Sequence, residues 1–150
     1  MPVSAAELDE RLCRFEATFR RLGMKVTHQR VEVFREVAGS DEHPDAESIY
    51  QRVHRRVRGI SRDTVYRTLA TLEAEGLIRR AEVASGPARF DAETEPHHHY
   101  VCNVCGAIRD IHSDALDHLP IPPSVQSLGS VESAQVQVRG ICSSCAGRRG

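Results

Sequence analysis

The chain has 150 residues and a mass of 16.7 kDa, which suits one medium domain or two small ones and excludes a large enzyme fold. It is 40% hydrophobic and 27% charged, a usage typical of soluble globular proteins. No apolar run approaches the roughly 20 residues that span a bilayer, and the acidic N-terminus does not resemble a signal peptide. We therefore expect a cytoplasmic protein with no membrane partner.

The formal net charge of -1 conceals an uneven distribution along the chain. The segment from Arg52 to Arg89 has nine arginines and four acidic residues, whereas the segment from Asp91 to Gly150 has four arginines and seven acidic residues. Only the first segment is therefore suited to contact phosphates.

Four helices are predicted in the first half of the chain, and most are bounded by a polar capping residue and a glycine. The pair Ser4 and Glu7 forms a capping-box pattern, after which apolar residues recur at helical spacing. Similar capping residues precede the other three apolar stripes. The helices are expected at the following positions: Ser4 to Gly23, Thr27 to Gly39, Asp45 to Gly59, and Arg62 to Glu75.

Two short strand-like runs follow the fourth helix, at Leu77–Val83 and Ala88–Asp91, with turn-forming residues 85–87 between them. Helices followed by such a hairpin are typical of a winged helix-turn-helix, in which the fourth helix would enter the major groove of DNA. Any small helical bundle has comparable apolar stripes. The pattern alone leaves both possibilities open, and the local positive charge favours DNA binding.

The second half of the chain is predicted to be a small and mostly β module. A polar hinge is expected at about residues 91–96, and strand-like runs occur at 100–101, 107–111 and 133–141. A short helix is predicted over 113–119, before three prolines. The predicted fold class is therefore α+β, with a winged helix-turn-helix domain at 1–90 and a second domain at 91–150.

Four of the five cysteines occur as two pairs, Cys102-x-x-Cys105 and Cys142-x-x-Cys145, separated by 36 residues. Two intervening residues allow both sulfurs of a pair to bind one ion, and Gly106 permits the tight turn that this requires. Four thiolates leave no ligand position for water, so the spacing predicts a closed, structural zinc site. A pair of redox-active CxxC motifs is the alternative.

Three consecutive histidines lie just before the first cysteine pair. On an extended strand, His97 and His99 share one face and His98 lies on the other. Asp91 and Asp110 supply carboxylates at the ends of neighbouring strand-like runs. Imidazole and carboxylate ligands suit Fe(II) or Mn(II) and, less specifically, Ni, Co and Zn. A solvated loop is the alternative interpretation of the histidine run.

Three motifs together resemble the ferric uptake regulator family. They are Gly-Met-Lys-Val-Thr-His-Gln-Arg at 23–30, Asp-Thr-Val-Tyr-Arg-Thr-Leu at 63–69, and His-His-His-Tyr-Val-Cys-x-x-Cys-Gly at 97–106. The resemblance covers nearly the whole chain in order. It implies a homodimeric, metal-dependent transcriptional repressor that binds double-stranded operator DNA, with a C-terminal α/β dimerisation domain that holds the four-cysteine zinc site. It also implies no enzyme activity and no small organic substrate.

Within that family the sequence is more similar to the peroxide-sensing branch, because iron-sensing members commonly have Glu at the position of Asp91. The resemblance implies that bound Fe(II) reacts with hydrogen peroxide, that a ligand histidine is oxidised, and that metal and then DNA are released. His43 and His97 are the candidates for oxidation. The ligands implied for the regulatory Fe(2+) or Mn(2+) are His43, Asp91, His97, His99 and Asp110.

The iron-sensing pattern includes a second metal site, at positions that match Pro96, His98, Asp117 and Ala134 in this sequence. Two of these four residues have no side-chain ligand atom, so a sensor with one regulatory site is expected. A weaker second metal site around His98 and Asp117 is the alternative.

For DNA contact, the resemblance implies Lys25 near the minor groove, together with Tyr66 and Arg67 on the fourth helix. Arginine suits a guanine edge or a phosphate, and tyrosine suits a thymine methyl group or a phosphate. Arg30 and Arg62 are either phosphate contacts or solvated surface charges.

Two other functions stay open from the sequence. The first is a member of the same family that senses iron, manganese, nickel or zinc availability, because small ligand displacements retune a His/Asp site. The second is a small metallohydrolase that uses the His/Asp cluster to activate water. It would need a substrate pocket and a general base, for which the chain leaves little room.

Overall fold

The structure, a computed structural model, describes residues 2–81 and 86–148. The chain divides into two compact units, Met1–Thr94 and Glu95–Gly150. Within the described ranges, the first unit has four helices and a two-stranded sheet, and the second has a three-stranded sheet and three one-turn helices. The predicted α+β class is confirmed. None of the helices in these ranges has the length and apolarity needed to cross a membrane.

The four helices of the first unit begin after the capping residues that the sequence predicts. In each case the cap side chain accepts a hydrogen bond from a backbone N–H in the first turn, and the reciprocal capping box at Ser4 and Glu7 is present. The helices are α1 (Ala5–Arg21), α2 (His28–Ala38), α3 (Ala46–Arg56) and α4 (Arg62–Ala74).

These helices pack around a core of aromatic and aliphatic side chains. The ring of Phe15 stacks on that of Phe34 with 4.9 Å between centroids, and Phe19 lies 4.4 Å from Phe15. Leu69 and Leu72 of α4 are buried in the same cluster. Because one face of α4 is buried, its opposite face is presented to solvent, as the amphipathic pattern predicts.

A short antiparallel hairpin follows α4. Its strands are β1 (Arg79–Ala81) and β2 (Arg89–Asp91), with Arg80 opposite Phe90. The first strand begins later than predicted, because the backbone N–H groups of Leu77 and Ile78 both donate to the Leu72 carbonyl in the last turn of α4. Residues 82–85, which include the end of the first predicted run and part of the predicted turn, lie outside the described residues.

The sheet of the second unit is built around a central strand, β3 (His98–Cys102). Strand β4 (Ile108–Ile111) pairs with it antiparallel, and β5 (Gln137–Gly140) pairs with it parallel. The strand predicted over 133–141 is therefore shorter than its sequence pattern, and β5 lies at an edge of the sheet.

Three one-turn helices complete the described part of the second unit. The helix predicted over 113–119 is reduced to α5 (Asp114–Asp117). The prolines that end it also allow α6 (Pro123–Gln126), since proline is well suited to the first turn of a helix. The last helix, α7 (Ser143–Ala146), begins directly after Cys142 and contains Cys145. Neither α6 nor α7 is long enough to have an apolar periodicity that a sequence pattern can show.

Replacing Phe34 with Ala is expected to lower the free energy of unfolding by about 3 to 5 kcal/mol, because it removes a stacked ring from the core and leaves a cavity. Denaturant unfolding followed by far-ultraviolet circular dichroism reports on the first unit, which contains the long helices. The control is Leu22→Ala, at a position that is 38% exposed. Equal midpoints for the two variants would contradict the assignment of Phe34 to the core.

Candidate metal centre and nucleic-acid interface

The two cysteine pairs converge at one end of the second unit. Cys102 is the last residue of β3, and Cys105 lies in the turn before β4. Cys142 is the N-cap of α7, and Cys145 lies within that helix. The four sulfurs all lie within 4.8 Å of one another. Gly106 has a φ of 72°, and its N–H donates to the Cys102 carbonyl at 3.0 Å, which closes the turn as predicted.

The sulfur spacing fits a tetrahedral zinc ion. Zn–S bonds of about 2.3 Å place two ligands of a tetrahedron about 3.8 Å apart. The Cys105 and Cys142 sulfurs are 3.8 Å apart. The four-cysteine cluster is therefore consistent with a closed structural zinc site, in which an ion would connect the strand β3 to the last described helix.

The cysteines of this cluster differ in acidity. Backbone N–H groups of Cys105 and Cys142 lower the pKa of the Cys102 thiol to about 6, and the Cys142 nitrogen lies 3.3 Å from that sulfur. Hydrogen bonding with the Cys142 and Cys105 sulfurs raises the pKa of Cys145 to about 12. A zinc ion at this site would therefore find one thiolate already formed and would displace protons from the cluster.

A second cluster in the same unit contains two imidazoles and one carboxylate. His97 immediately precedes β3, and His99 lies on β3 directly opposite Asp110 of β4. The two Nε2 atoms are 3.0 Å apart and lie 3.2 Å and 3.3 Å from the Asp110 Oδ1 atom. Both histidines are buried, and the aspartate is half-buried. The alternation predicted for the histidine run thus brings these three residues together.

These distances fit three adjacent ligands of one metal ion. Two ligand atoms that lie about 2.1 Å from an octahedral ion at a right angle to each other are about 3.0 Å apart. A face made of two imidazoles and one carboxylate is also the ligand set of non-haem Fe(II) sites. The chemistry and the spacing of these side chains therefore suit a divalent ion.

Contacts behind the two imidazoles orient them. His97 Nδ1 lies 2.8 Å from the Glu95 carbonyl, so it donates the hydrogen bond and leaves the lone pair on Nε2. The Gln135 amide nitrogen lies 3.2 Å from His99 Nδ1 and donates to the His97 carbonyl. A metal on His99 Nε2 would require this amide to turn over and present its oxygen, which a side-chain amide can do and a backbone N–H cannot. The ring of His112 stacks on that of His97 at 5.8 Å. These roles of Glu95 and Gln135 could not be predicted from the sequence, because contacts with backbone carbonyls and across the sheet leave no pattern in residue spacing.

His98 makes different contacts. Its Nδ1 accepts a hydrogen bond from the Val136 N–H at 3.0 Å, so its Nε2 carries the proton and donates to Asp117 Oδ1 at 2.9 Å. A metal bound to Nε2 would require the ring proton to move to Nδ1. There it would face the Val136 N–H, which can only donate, so two donors would lie against each other. The pair of His98 and Asp117 is therefore a hydrogen-bonded contact between β3 and α5.

The first unit contains another buried histidine and carboxylate. His43 lies in the loop before α3, and Asp91 is the last residue of β2. His43 Nδ1 is 3.7 Å from Asp91 Oδ2. His43 has a φ of 51°, a left-handed conformation that is uncommon for a residue other than glycine. Its imidazole is thus held beside a carboxylate by a specific backbone conformation.

The predicted DNA-contacting residues lie on the first unit. Lys25, Arg30 and Arg67 line one groove of about 630 Å³ between the start of α2 and the solvent face of α4. Among the described residues that line this groove, none is acidic. Tyr66 is 52% exposed and lies on α4. The groove therefore has the charge and the neighbouring helix expected of a surface that contacts DNA.

Two of the predicted DNA contacts are already ion-paired. The Arg62 guanidinium donates two hydrogen bonds to the Glu47 carboxylate and lies 4.3 Å from the centroid of the Tyr50 ring. Arg67 pairs with Asp63 at 2.6 Å, and both side chains are largely exposed. Exposed pairs of this kind contribute little to stability, so a phosphate can replace the carboxylate at low cost.

Known proteins share both the sequence pattern and the fold. Residues 21–129 match the model of the Ferric uptake regulator family. The chain is 28% identical over 145 residues to the peroxide-responsive repressor PerR of Staphylococcus epidermidis, and the alignment covers 97% of each chain. It is 29% identical over 143 residues to the peroxide operon regulator of Bacillus subtilis, covering 95% of this chain and 96% of that relative. The fold is similar to that of the ferric uptake regulator Fur of Helicobacter pylori, with a TM-score of 0.73, 24% identity and 93% coverage of each chain.

Zinc binding near neutral pH is expected to release fewer than four protons per chain, because the pKa of Cys102 is lowered to about 6 and this thiol is mostly ionised before zinc arrives. Calorimetric titration in buffers of different ionisation enthalpy measures the number of protons released. The number of protons released is compared with that of the Cys102→Ser variant, which lacks this thiol. Release of four protons would contradict the low pKa of Cys102.

Replacing Asp117 with Asn is expected to leave the number of bound metal ions unchanged, because the tautomer of His98 prevents that histidine from binding a metal through Nε2. Metal content is measured by inductively coupled plasma mass spectrometry after loading with Zn(2+) and Mn(2+). The matched variant Asp110→Asn should lose one ion per chain. Loss of one ion from Asp117→Asn would instead identify a second site there.

Proposed function

Because this chain belongs to the ferric uptake regulator family, whose members are metal-dependent DNA-binding transcription regulators and not enzymes, we propose that it is a peroxide-responsive repressor. The observation that carries the proposal is the buried face of two imidazoles and one carboxylate at His97, His99 and Asp110. Support for the peroxide signal comes from the two relatives that are named as peroxide regulators. The metallohydrolase alternative is set aside, since the members of the family are not enzymes.

The proposed regulatory site combines the three ligands of the second unit with His43 and Asp91 of the first unit. Each group of ligands is arranged within its own unit before a metal binds. An ion that binds both groups selects one arrangement of the two units. If that arrangement is the one that fits operator DNA, metal occupancy raises DNA affinity by linkage.

Fe(2+) or Mn(2+) is the proposed regulatory ion, and a separate Zn(2+) is proposed at the four cysteines. Nitrogen and carboxylate donors suit the first two ions, whereas four thiolates suit zinc. When bound, Fe(2+) supplies the redox chemistry that hydrogen peroxide requires. The closed thiolate cluster and the mixed His/Asp cluster thus have distinct roles, the first in the fold of the second unit and the second in regulation.

His97 and His43 are the proposed sites of oxidation. In the net reaction, one oxygen atom of hydrogen peroxide is inserted into a ring C–H bond of the imidazole, and the other leaves as water. The modified ring loses its original donor properties, and the regulatory site loses a ligand. Both histidines are almost completely buried, so their surroundings favour a small neutral oxidant over a bulky one. The reaction consumes the protein and is not catalytic turnover.

The proposed partner is double-stranded operator DNA, bound by a homodimer. Lys25, Arg30, Tyr66 and Arg67 are the proposed main contacts, and Arg62 adds a phosphate contact once it leaves Glu47. The second unit presents apolar side chains to solvent, including Leu128 at 86% exposure, and its edge strand β5 exposes Val138. Exposed apolar side chains and an open sheet edge each suit contact with a second copy of this chain.

The same ligand chemistry favours one second candidate, a sensor of metal availability. Buried imidazole and carboxylate ligands also accept Ni(2+), Zn(2+) and Mn(2+), and selectivity among divalent ions depends on small differences in geometry. In that case the stimulus is metal occupancy itself, and oxidation has no regulatory part.

One equivalent of hydrogen peroxide is expected to oxidise the anaerobic Fe(II) protein at His97 or His43 and to abolish operator binding. Peptide mass mapping detects the added oxygen atom, and fluorescence anisotropy with labelled operator DNA measures binding in the same sample. The Mn(II)-loaded protein is the matched control, and it should keep both its mass and its operator affinity. An Fe(II) protein that stays unmodified and bound to DNA would instead support the sensor of metal availability.

A further inference from the structure

One arginine holds the loop that carries His43. The Arg89 guanidinium donates through Nη2 to the Glu42 carbonyl at 2.6 Å, and through Nε to the His43 carbonyl. One planar guanidinium group thus donates hydrogen bonds to two successive backbone carbonyls. Arg89 belongs to β2, so the loop before α3 is attached to a strand that lies more than 40 residues further along the chain.

Backbone contacts extend this attachment. The Phe90 N–H donates to the Pro44 carbonyl at 3.0 Å, and Asp45 forms an isolated β-bridge with Arg89. The next residue of the strand is Asp91, whose carboxylate lies 3.7 Å from the His43 imidazole. The loop and the strand therefore present the imidazole and the carboxylate side by side.

The conformation of His43 explains why such an attachment is needed. A φ of 51° is disfavoured for any residue with a Cβ atom and persists only where the surroundings enforce it. His43 is itself buried, so its backbone carbonyl also needs a donor. Arginine satisfies both needs, because its rigid fork supplies donors in a fixed plane, whereas lysine offers a single flexible ammonium group.

We propose that Arg89 is a positioning residue for the regulatory metal, which holds His43 in its left-handed conformation beside Asp91 before any ion binds. The proposal rests on the proposed function, in which His43 and Asp91 are ligands. Arg89 has no metal-binding atom, and its guanidinium faces carbonyl oxygens. It therefore acts through the geometry of His43 and not through its own charge.

A role in DNA binding is the competing explanation, since Arg89 ends the basic segment of the chain. Its guanidinium is engaged by the loop carbonyls, which makes it a poor phosphate contact. The two roles separate in measurement. A positioning role changes the affinity for metal, whereas a phosphate contact changes the affinity for DNA at saturating metal and the salt dependence of that affinity.

The test is Arg89→Lys, which keeps the charge and removes the fork, together with His43→Ala and the double variant. The probe is Mn(2+), titrated by calorimetry into zinc-loaded protein. Arg80→Lys is the matched control, because Arg80 lies on the neighbouring strand and pairs with Glu73 on the surface. Circular dichroism and zinc content verify the fold of every variant.

Arg89→Lys is expected to weaken Mn(2+) binding by about tenfold or more, the usual effect of removing a residue that orients a ligand. Arg80→Lys should bind as the wild type does. The double variant should bind Mn(2+) no more weakly than His43→Ala, because Arg89 acts only through His43. This absence of additivity distinguishes positioning from a general contribution to the fold.

Three results would overturn the positioning role: unchanged Mn(2+) affinity in Arg89→Lys while His43→Ala is weakened, fully additive losses in the double variant, or loss of the helical signal in Arg89→Lys. Unchanged Mn(2+) affinity in His43→Ala is a different outcome. It would remove His43 from the regulatory site, and with it the part of the proposed function on which this inference rests.

Discussion

The position of β3 between two other strands determines the geometry of both clusters of candidate metal ligands in the second unit. His99 and Cys102 lie three residues apart on this strand, which corresponds to about 10 Å of extended chain. Pairing with β4 places Asp110 opposite His99, and pairing with β5 brings the last cysteine pair towards Cys102. A shift of register by one residue would turn His99 to the other face and separate the ligands of both clusters at once.

Much of this arrangement could be predicted from the sequence. The helices, the cysteine pairs and the histidine run were each predictable for a different reason. The helices of the first unit have capping residues and apolar stripes, which are local signals. The cysteine spacing indicates their convergence because only two residues separate the members of each pair. The shared face of His97 and His99 follows from strand alternation, and the structure places both beside Asp110. The roles of these residues in metal binding stay predictions.

Other features had no local signal. The attachment of the His43 loop by Arg89 involves backbone carbonyls, which every residue has, so no residue type identifies the partner in advance. The contact between His97 and the Glu95 carbonyl could not be predicted for the same reason. The tautomer of His98 depends on the N–H of Val136, which lies 38 residues away. The short strands and one-turn helices depend on pairing and packing that periodicity does not reveal.

The low pKa of Cys102 has a consequence for the chemistry of the four-cysteine cluster before a cation occupies it. A thiol with a pKa of about 6 is mostly ionised at neutral pH, and the thiolate is the form that attacks peroxides and disulfides. Three other cysteines lie within reach to complete a disulfide after such an attack. Cys102 is buried, so an oxidant reaches this sulfur only when the cluster opens, and a cation bound to all four sulfurs would keep the cluster closed. Early occupation of the thiolate cluster by a cation would therefore protect this sulfur from oxidation and from disulfide formation with its neighbours.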